Sequence, residues 1–462
     1  MKRLYLKYKP HYQANLKLAV PVIISQLGHI LVQTMDSVIV GHFAGTIALA
    51  AVSLVSSIFL ITLVIGIGIA YGLTPLVAQE NGRENYEECG RLLSNSLFIN
   101  ILTGIFLYIL VYFGSLSVID YLGQSPGVVY LAKPYLALLS FSIIPLMIFL
   151  AFKQFAEGLG FTKQAMNISI WGNVLNIIIG VILVKGMFGI KPMGVVGVGI
   201  ATLVDRVLMM VVMMIFVIRS KRFTIYLKSF VWQSVDKLRA IKLLKIGAPV
   251  ALQYTFEVGA FGGAAILVGT VGAIQQAAHQ VAISLASMTY MMASGVSTAA
   301  TVSAGHNYGK KNFKQLQLSA ISNYHIMLIL MTTAALVFVI LNQYLPWIYT
   351  TDESVIAIAA QLLIIAGFFQ LFDGAQVVGL GILRGIGDVN IPTIITFIAY
   401  WVIGLPSGYY FGIVLELGVL GIWYGLTLGL LVSAGLLFFR FHYYSQKMIS
   451  ERLGLQEYHG EG

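Results

Sequence analysis

The sequence is short of cysteine and short of charge. Cys89 is its only cysteine, which excludes an intramolecular disulfide and leaves no thiolate cluster for a metal. Charged side chains make up 10% of 462 residues and hydrophobic ones 58%, far more apolar surface than a water-soluble fold hides. These scarcities point to an integral membrane protein. The long apolar runs also lack the alternation of β-barrel strands, so helices must satisfy the backbone hydrogen bonds inside lipid. Twelve spans are predicted, near 14–39, 46–75, 92–114, 134–156, 165–184, 193–218, 246–270, 276–303, 317–345, 355–383, 391–413 and 418–440. Each reaches the ~20 residues that a crossing needs.

Enzyme motifs are missing as well. No His-Glu-x-x-His pattern is present, and GHNYGKK at 305–311 is one residue short of a phosphate loop and ends in Lys rather than Ser or Thr. GLGILR at 379–384 fails as a dinucleotide fingerprint because Arg384 closes it at the end of a span. No ATPase is encoded in these patterns, so any pumping must draw on an ion gradient.

What is present begins with an internal repeat. Pro21 and Pro249, Gly41 and Gly269, Asn85 and Asn312, Gly158 and Gly385, and Gly160 and Gly387 recur at intervals of 227 or 228 residues. GVVGVG at 194–199 is echoed by GVLGIW at 418–423. Six spans per copy is an even number, so the copies insert with the same orientation, as parallel repeats do. The expected organisation is an N-lobe over 1–218, a basic cytoplasmic linker over 219–245 and a C-lobe over 246–462.

The basic charges agree with this topology. With both termini cytoplasmic, 24 of the 28 Lys and Arg lie inside, Lys133, Lys185 and Lys191 lie outside, and Arg206 lies in a span. The positive-inside rule then explains the net charge of +10 without a nucleic-acid partner. The N-terminal MKRLYLKYK with its apolar run imitates a secretory signal, but the run is long, carries Asp36 and has a counterpart in the second half. It is read as the first span. The linker mixes eight basic residues with Phe223, Tyr226, Phe230 and Trp232, as expected of a segment on an anionic inner leaflet. Topology alone also accounts for those charges.

Ionisable groups inside spans each need a reason, because a charge at the bilayer centre costs about 2.5–3.5 kcal/mol on insertion scales. Four acids qualify: Asp36, Asp205, Glu257 and Asp373. In the first span Gln26, His29, Gln33, Asp36 and Ser37 fall within an arc of about 100° at ~100° per residue, a polar stripe on an apolar helix. Interhelical hydrogen bonding accounts for the glutamines and Ser37, whereas glue alone would not require an ionisable Asp36. Gln253 and Glu257 stand one turn apart before the small-residue stretch GAFGGAA, and Gln370, Asp373 and Gln376 are spaced by three. Under the repeat, Glu257 corresponds to His29, Asp373 to Leu146 and Asp36 to Ala264. The scaffold is duplicated and its ionisable equipment is not.

Other polar residues carry weaker signals. Adjacent Asp205 and Arg206 project ~100° apart, so Arg206 is expected to find a partner on another helix. His279 suits a proton relay or a hydrogen-bonded structural role. Glu157 and Arg384, at equivalent points of the two halves, suit a cytoplasmic gate or ordinary helix-end charges. Met209, Met210, Met213 and Met214 suit adaptable packing or plain core.

LAVPVIISQLGHILVQTMDSVIVGHFAG at 18–45, AAHQVA at 277–282, Glu257 in span 7 and FDGAQVVGLGILRGIGD at 372–388, in duplicated six-span halves, resemble the multidrug and toxic compound extrusion (MATE) transporters, especially their NorM-like branch. The resemblance covers nearly the whole chain. It implies an all-α membrane protein of twelve helices, two parallel six-helix repeats around a V-shaped cavity. It implies a monomeric antiporter in a bacterial-type inner membrane, exporting cationic aromatic compounds by alternating access while H⁺ or Na⁺ enters, with no organic cofactor. Carried over by position, Glu257 and Asp373 resemble second-lobe coupling and substrate carboxylates, and Asp36 the first-lobe acid with Asn176 and, more weakly, Thr202. His29, Gln33, Gln253, Gln376 and Asp205 are secondary candidates. A Na⁺ site is implied at Glu257 and Asp373 or at Asp36 and Asn176. Gly180 departs from the Asp or Asn of many relatives, and Phe369 from the Tyr of some. The alternatives are a flippase for a lipid-linked saccharide or anionic lipid, which would need a basic cavity, a non-transporting receptor or scaffold, and, least supported, an intramembrane enzyme.

Overall fold

The computed structural model describes residues 2–121 and 123–459, with side chains over 6–121 and 123–451. Its long helices are α1 (Lys2–Phe43), α2 (Thr46–Gly82, with a turn at Tyr71 and Gly72), α3 (Tyr86–Tyr121), α4 (Pro126–Gly158), α5 (Thr162–Lys185) and α6 (Val195–Arg219). The second half supplies α7 (Lys237–Val271), α8 (Ala273–Gly309), α9 (Phe313–Ile340), α10 (Glu353–Gly385), α11 (Asn390–Val414) and α12 (Gly418–His459). Among the described residues, eleven of these are long and apolar enough to cross a membrane. The remaining one, α8, lies where the span at 276–303 was expected and has 37 residues, about 55 Å of helix. Its lower apolarity follows from Gln275, Gln276, His279 and Gln280 and from a buried Ser/Thr/Ala/Gly stretch over 293–302 that packs closely with its neighbours.

The chain divides into two packing units, an N-terminal one of Ile24–Ala251 and a C-terminal one of Met1–Ile23 with Leu252–Gly462. Two helices are shared out at repeat-equivalent points, α1 after residue 23 and α7 after residue 251, each two residues beyond its proline. The early part of α1 is held in the C-terminal unit by Asn15, whose Nδ2 donates to Ser322 Oγ at 2.6 Å and to Ser319 O at 3.0 Å. Close approach explains why glycine recurs there. A Cβ on Gly68 would stand 2.3 Å from Ala251 Cα, and one on the equivalent Gly295 would stand 2.7 Å from Ile23 N.

Other repeated residues do matching work. Asn85 and Asn312 cap α3 and α9, accepting from Glu88 N at 3.4 Å and Gln315 N at 3.3 Å. Gly160 and Gly387 end the equivalent helices at φ 86° and 87°, where a side chain would strain the backbone. Thr74 and Thr301 are equivalent too, and reach positions 227 residues apart: the Thr74 hydroxyl donates to Gln154 Oε1 at 2.6 Å, with Gln154 O at 3.5 Å, and the Thr301 hydroxyl to Gly381 O at 2.9 Å.

The linker departs from its expected placement on a leaflet. Phe223 and Tyr226 turn inward, Phe223 fully buried against Phe155, Phe161 and Phe216 and Tyr226 donating to Asn81 Oδ1 at 3.0 Å. Burying those rings removes more apolar area from water than an interfacial position would. Trp232 remains exposed.

Candidate functional site

The C-terminal unit brings together the residues that the sequence singled out. Glu257 on α7 and Asp373 on α10 are both buried, and the charge of Asp373 is felt at Glu257. Tyr290 of α8 donates to Glu257 Oε2 at 3.2 Å and Tyr400 of α11 to Oε1 at 3.4 Å, while Gln376 Nε2 donates to Tyr400 at 2.9 Å. Tyr400 belongs to a π-helical stretch, Ile398–Gly404. Such a bulge re-aims side chains that regular helical turns would send elsewhere. Trp401 secures it, donating from Nε1 to Phe256 O on α7 at 3.0 Å.

Several buried oxygens here accept no hydrogen bond: Asp373 Oδ1, Gln370 Oε1, Gln376 Oε1 and Gln253 Oε1. Orphaned hard oxygens beside two carboxylates are the donor chemistry that suits a proton or an alkali cation. Gln253 is otherwise committed, donating to Thr393 Oγ1 at 3.0 Å and Val389 O at 3.2 Å. Phe369 is buried and packs on Phe261 and Trp423 in the apolar core of this unit. Among the described residues the basic side chain whose charge reaches Glu257 is Arg384, which sits over the Tyr254 ring at 5.9 Å.

The N-terminal unit gathers a different set. Asp36 on α1, Asn173 and Asn176 on α5, and Thr202 and Asp205 on α6 are all buried. Asn176 Nδ2 donates to Thr202 Oγ1 at 3.5 Å, and Asp36 Oδ1, Asn176 Oδ1 and Asp205 Oδ1 lack partners. Here a cation is already in place. Arg206 is felt by both Asp36 and Asp205 and donates to Ser142 Oγ at 2.6 Å, the partner expected for it on another helix. Gly180 faces Ile39 and Ala201, an apolar setting in which no further acid is missed. Among the described residues no cluster of three or more His, Cys, Asp and Glu forms a metal cage in either unit.

Some expectations need adjusting. The stripe on α1 is uneven: Asp36 is buried, Gln26 and His29 are half-buried and Gln33 is exposed. Arg206 is also not alone as a basic side chain in a span, because Lys153 is buried 3.8 Å from Glu157 and Arg384 is buried in α10. Glu157 and Arg384 thus each have company within their own unit. His279 accepts from Trp423 Nε1 at 3.0 Å, the structural role weighed for it. Met209 and Met213 are core residues. Tyr290 and Tyr400 were missed. Their signal was available, since a tyrosine hydroxyl within a span needs a partner, and Tyr400 is the repeat equivalent of the buried Asn173.

Twelve long helices in two repeats with buried carboxylates in each half define a multi-pass helical membrane transporter. The chain belongs to the MatE family, whose model matches it twice, over residues 21–182 and 249–410, the second match offset by the repeat interval. It is 32% identical over 437 residues to the multidrug resistance protein NorM of Photobacterium profundum, covering 94% of this chain and 95% of that one. To NorM of Vibrio vulnificus strain YJ016 it is 33% identical over 442 residues, covering 95% and 96%. In fold it is similar to the eukaryotic MATE transporter AtDTX14, with a TM-score of 0.86 at 19% identity over 96% of this chain and 99% of that one. A transporter from Pyrococcus furiosus gives a TM-score of 0.87 at 21% identity, covering 97% and 99%. Membership places the chain among transporters rather than enzymes.

Proposed function

We propose that this chain is a secondary active multidrug efflux antiporter that exports cationic aromatic compounds in exchange for H⁺ or Na⁺. The observation that carries the coupling is the C-terminal site: two buried carboxylates, Glu257 and Asp373, with tyrosine donors on one and orphaned amide oxygens around the other. Deprotonated, the pair attracts an organic cation; an incoming H⁺ or Na⁺ neutralises it and releases that cargo, and the unloaded carrier returns by alternating access. Na⁺ would draw its oxygens from Glu257, Asp373, Gln370 and Gln376. Asp36 and Asn176 form a second candidate cation site, weaker because Arg206 already supplies positive charge there.

The names of the relatives support multidrug cargo, and the charge bias supports a bacterial-type inner membrane with both termini cytoplasmic. The lobes at 1–218 and 246–462 with their linker are the proposed functional division, and a monomer carries out the whole cycle. The test is reconstitution into liposomes with a fluorescent cationic dye, imposing ΔpH and ΔNa⁺ separately. Transport under one gradient alone identifies the coupling ion. Unimpaired export by both Glu257→Gln and Asp373→Asn would sink the proposal.

A further inference from the structure

We propose that the start of α7 is a binding site for the phosphodiester headgroup of an anionic phospholipid. A notch of about 430 Å³ opens there, lined by Glu88, Asp236, Lys237, Leu238, Arg239 and Lys242. Its two acids are already engaged. Arg239 donates to both oxygens of Glu88 at 2.8 Å and pairs with Asp236 through its guanidinium, while its backbone N–H reaches Asp236 Oδ1 at 2.9 Å. The surplus charge therefore belongs to the lysines. Lys237 forms no ion pair among the described residues, and Lys242 has only Glu80 at 3.5 Å, a carboxylate that also serves Arg83 at 2.8 Å and Asn85 at 3.2 Å.

Helix geometry indicates that a lipid, rather than a soluble anion, is the occupant. At ~100° per residue Leu244, Lys237, Ile241, Lys245, Leu238 and Lys242 share an arc of about 160°, while Arg239, Leu243 and Ile246 face away. Leu243 and Ile246 are buried in that opposite direction, whereas Leu238 is 81% exposed and Lys237, Lys242 and Lys245 are exposed beside it. An exposed face that interleaves leucine and isoleucine with lysine fits the boundary between acyl chains and headgroups, with aliphatic side chains on one side and ammonium groups reaching phosphate on the other. A free phosphate would leave that apolar face unused.

The approach to the notch is preformed. Asn95 on α3 donates to Ser234 O at 2.9 Å and accepts from Asp236 N at 2.9 Å, fixing the turn before the helix. All of these residues lie in the N-terminal unit, and the site does not depend on the transport reading. Mere satisfaction of the positive-inside rule would need the charges but neither the notch nor the alternation with leucine.

The test uses the full-length protein in detergent, titrated with phosphatidylglycerol, phosphatidylcholine or glycerol phosphate, with bound lipid counted by native mass spectrometry and stability followed by thermal unfolding. Phosphatidylglycerol should bind and stabilise, and the other two should not. Lys237→Gln with Lys242→Gln should weaken phosphatidylglycerol binding roughly 25-fold, from about 1 kcal/mol per lysine at about 1.4 kcal/mol per tenfold. Lys237→Gln alone removes an exposed unpaired charge without risk to folding and should show part of that loss. Lys221→Gln with Lys228→Gln, the same charge change elsewhere in the linker, should leave binding within twofold. Equal losses from the two double variants would mean general surface charge and overturn the site; binding of glycerol phosphate as tight as that of the lipid would overturn the lipid assignment.

Discussion

The two units have nearly the same fastenings and different interiors. Gly68 meets Ala251 as Gly295 meets Ile23, Asn85 caps as Asn312 caps, and Thr74 reaches Gln154 as Thr301 reaches Gly381. Inside, one unit sets Arg206 among Asp36 and Asp205, while the other sets Tyr290 and Tyr400 on Glu257 beside Asp373. Backbone contacts tolerate little change, because a Cβ added at a glycine crossing meets another backbone. Side chains that meet only other side chains in the interior tolerate more. The repeat thus shares what it needs in order to fold, and on the proposed reading what only one copy needs in order to work, cation exchange, belongs first to the C-terminal unit.

The sharpest way to break that assignment is to neutralise acids one unit at a time. Glu257→Gln and Asp373→Asn should each lower gradient-driven dye export by about 100-fold, equivalent to about 2.7 kcal/mol of lost cation affinity, with normal yield of folded protein. Asp36→Asn, whose charge Arg206 already offsets, should cost about tenfold or less under the same assay. Equal losses in both units would remove the asymmetry.

Next in size are the shared crossings. Gly68→Val and Gly295→Val should each destabilise the protein by about 1–3 kcal/mol, read as a lower unfolding midpoint in detergent. Gly262→Val is the control, since a Cβ there meets nothing within 4 Å. If one crossing tolerates valine and the other does not, the fastenings are not equivalent and the structural half of the comparison fails.

Much of this was legible in the sequence, and for identifiable reasons. Repeat glycines and asparagines are constrained by backbone geometry, so they stay in register and can be counted. The acids could be found because a carboxylate in a span is costly enough to need a reason. Lys153 escaped as a buried group because it stands one turn from the charged end of α4, where a lysine ordinarily reaches water. Tyr290 and Tyr400 escaped because an aromatic residue in a span already satisfies the hydrophobic pattern, and nothing in the spacing announces the π-helical stretch that aims Tyr400 at Glu257. The inward turn of Phe223 and Tyr226 was equally hidden: basic neighbours made the linker read as interfacial, and only tertiary packing decided where its rings went.

Smaller effects come from the tyrosines. Tyr290→Phe and Tyr400→Phe each remove one hydrogen bond to Glu257, worth about 1 kcal/mol, and should shift the half-saturating concentration of the coupling ion about fivefold. Tyr135→Phe in the other unit, where the tyrosine feels the Asp36 charge but has no such hydrogen bond to it among the described residues, should shift it less than twofold. A larger shift from Tyr135→Phe would place coupling in the N-terminal unit after all.

The smallest expected effect concerns the linker's attachment to the N-terminal unit. Asp236 lies just before the span of α7, and the Arg239 backbone N–H, followed by the Arg239 guanidinium, holds its carboxyl below the ordinary carboxylate range. A carboxyl so lowered contributes stability that is fully present above its unfolded value, about 3.9, and is lost as pH falls through the lower folded value. Hydrogen exchange in residues 231–236 should therefore be protected to the same degree from pH 7 down to about 4, after correction for intrinsic rates, and should rise only below that. Asp236→Asn should abolish the acid step and leave a modest, pH-independent loss of protection. Protection lost between pH 7 and 5 in the wild type would show that a different group fastens the linker, and that the N-terminal unit carries a titrating contact with no counterpart in its partner repeat.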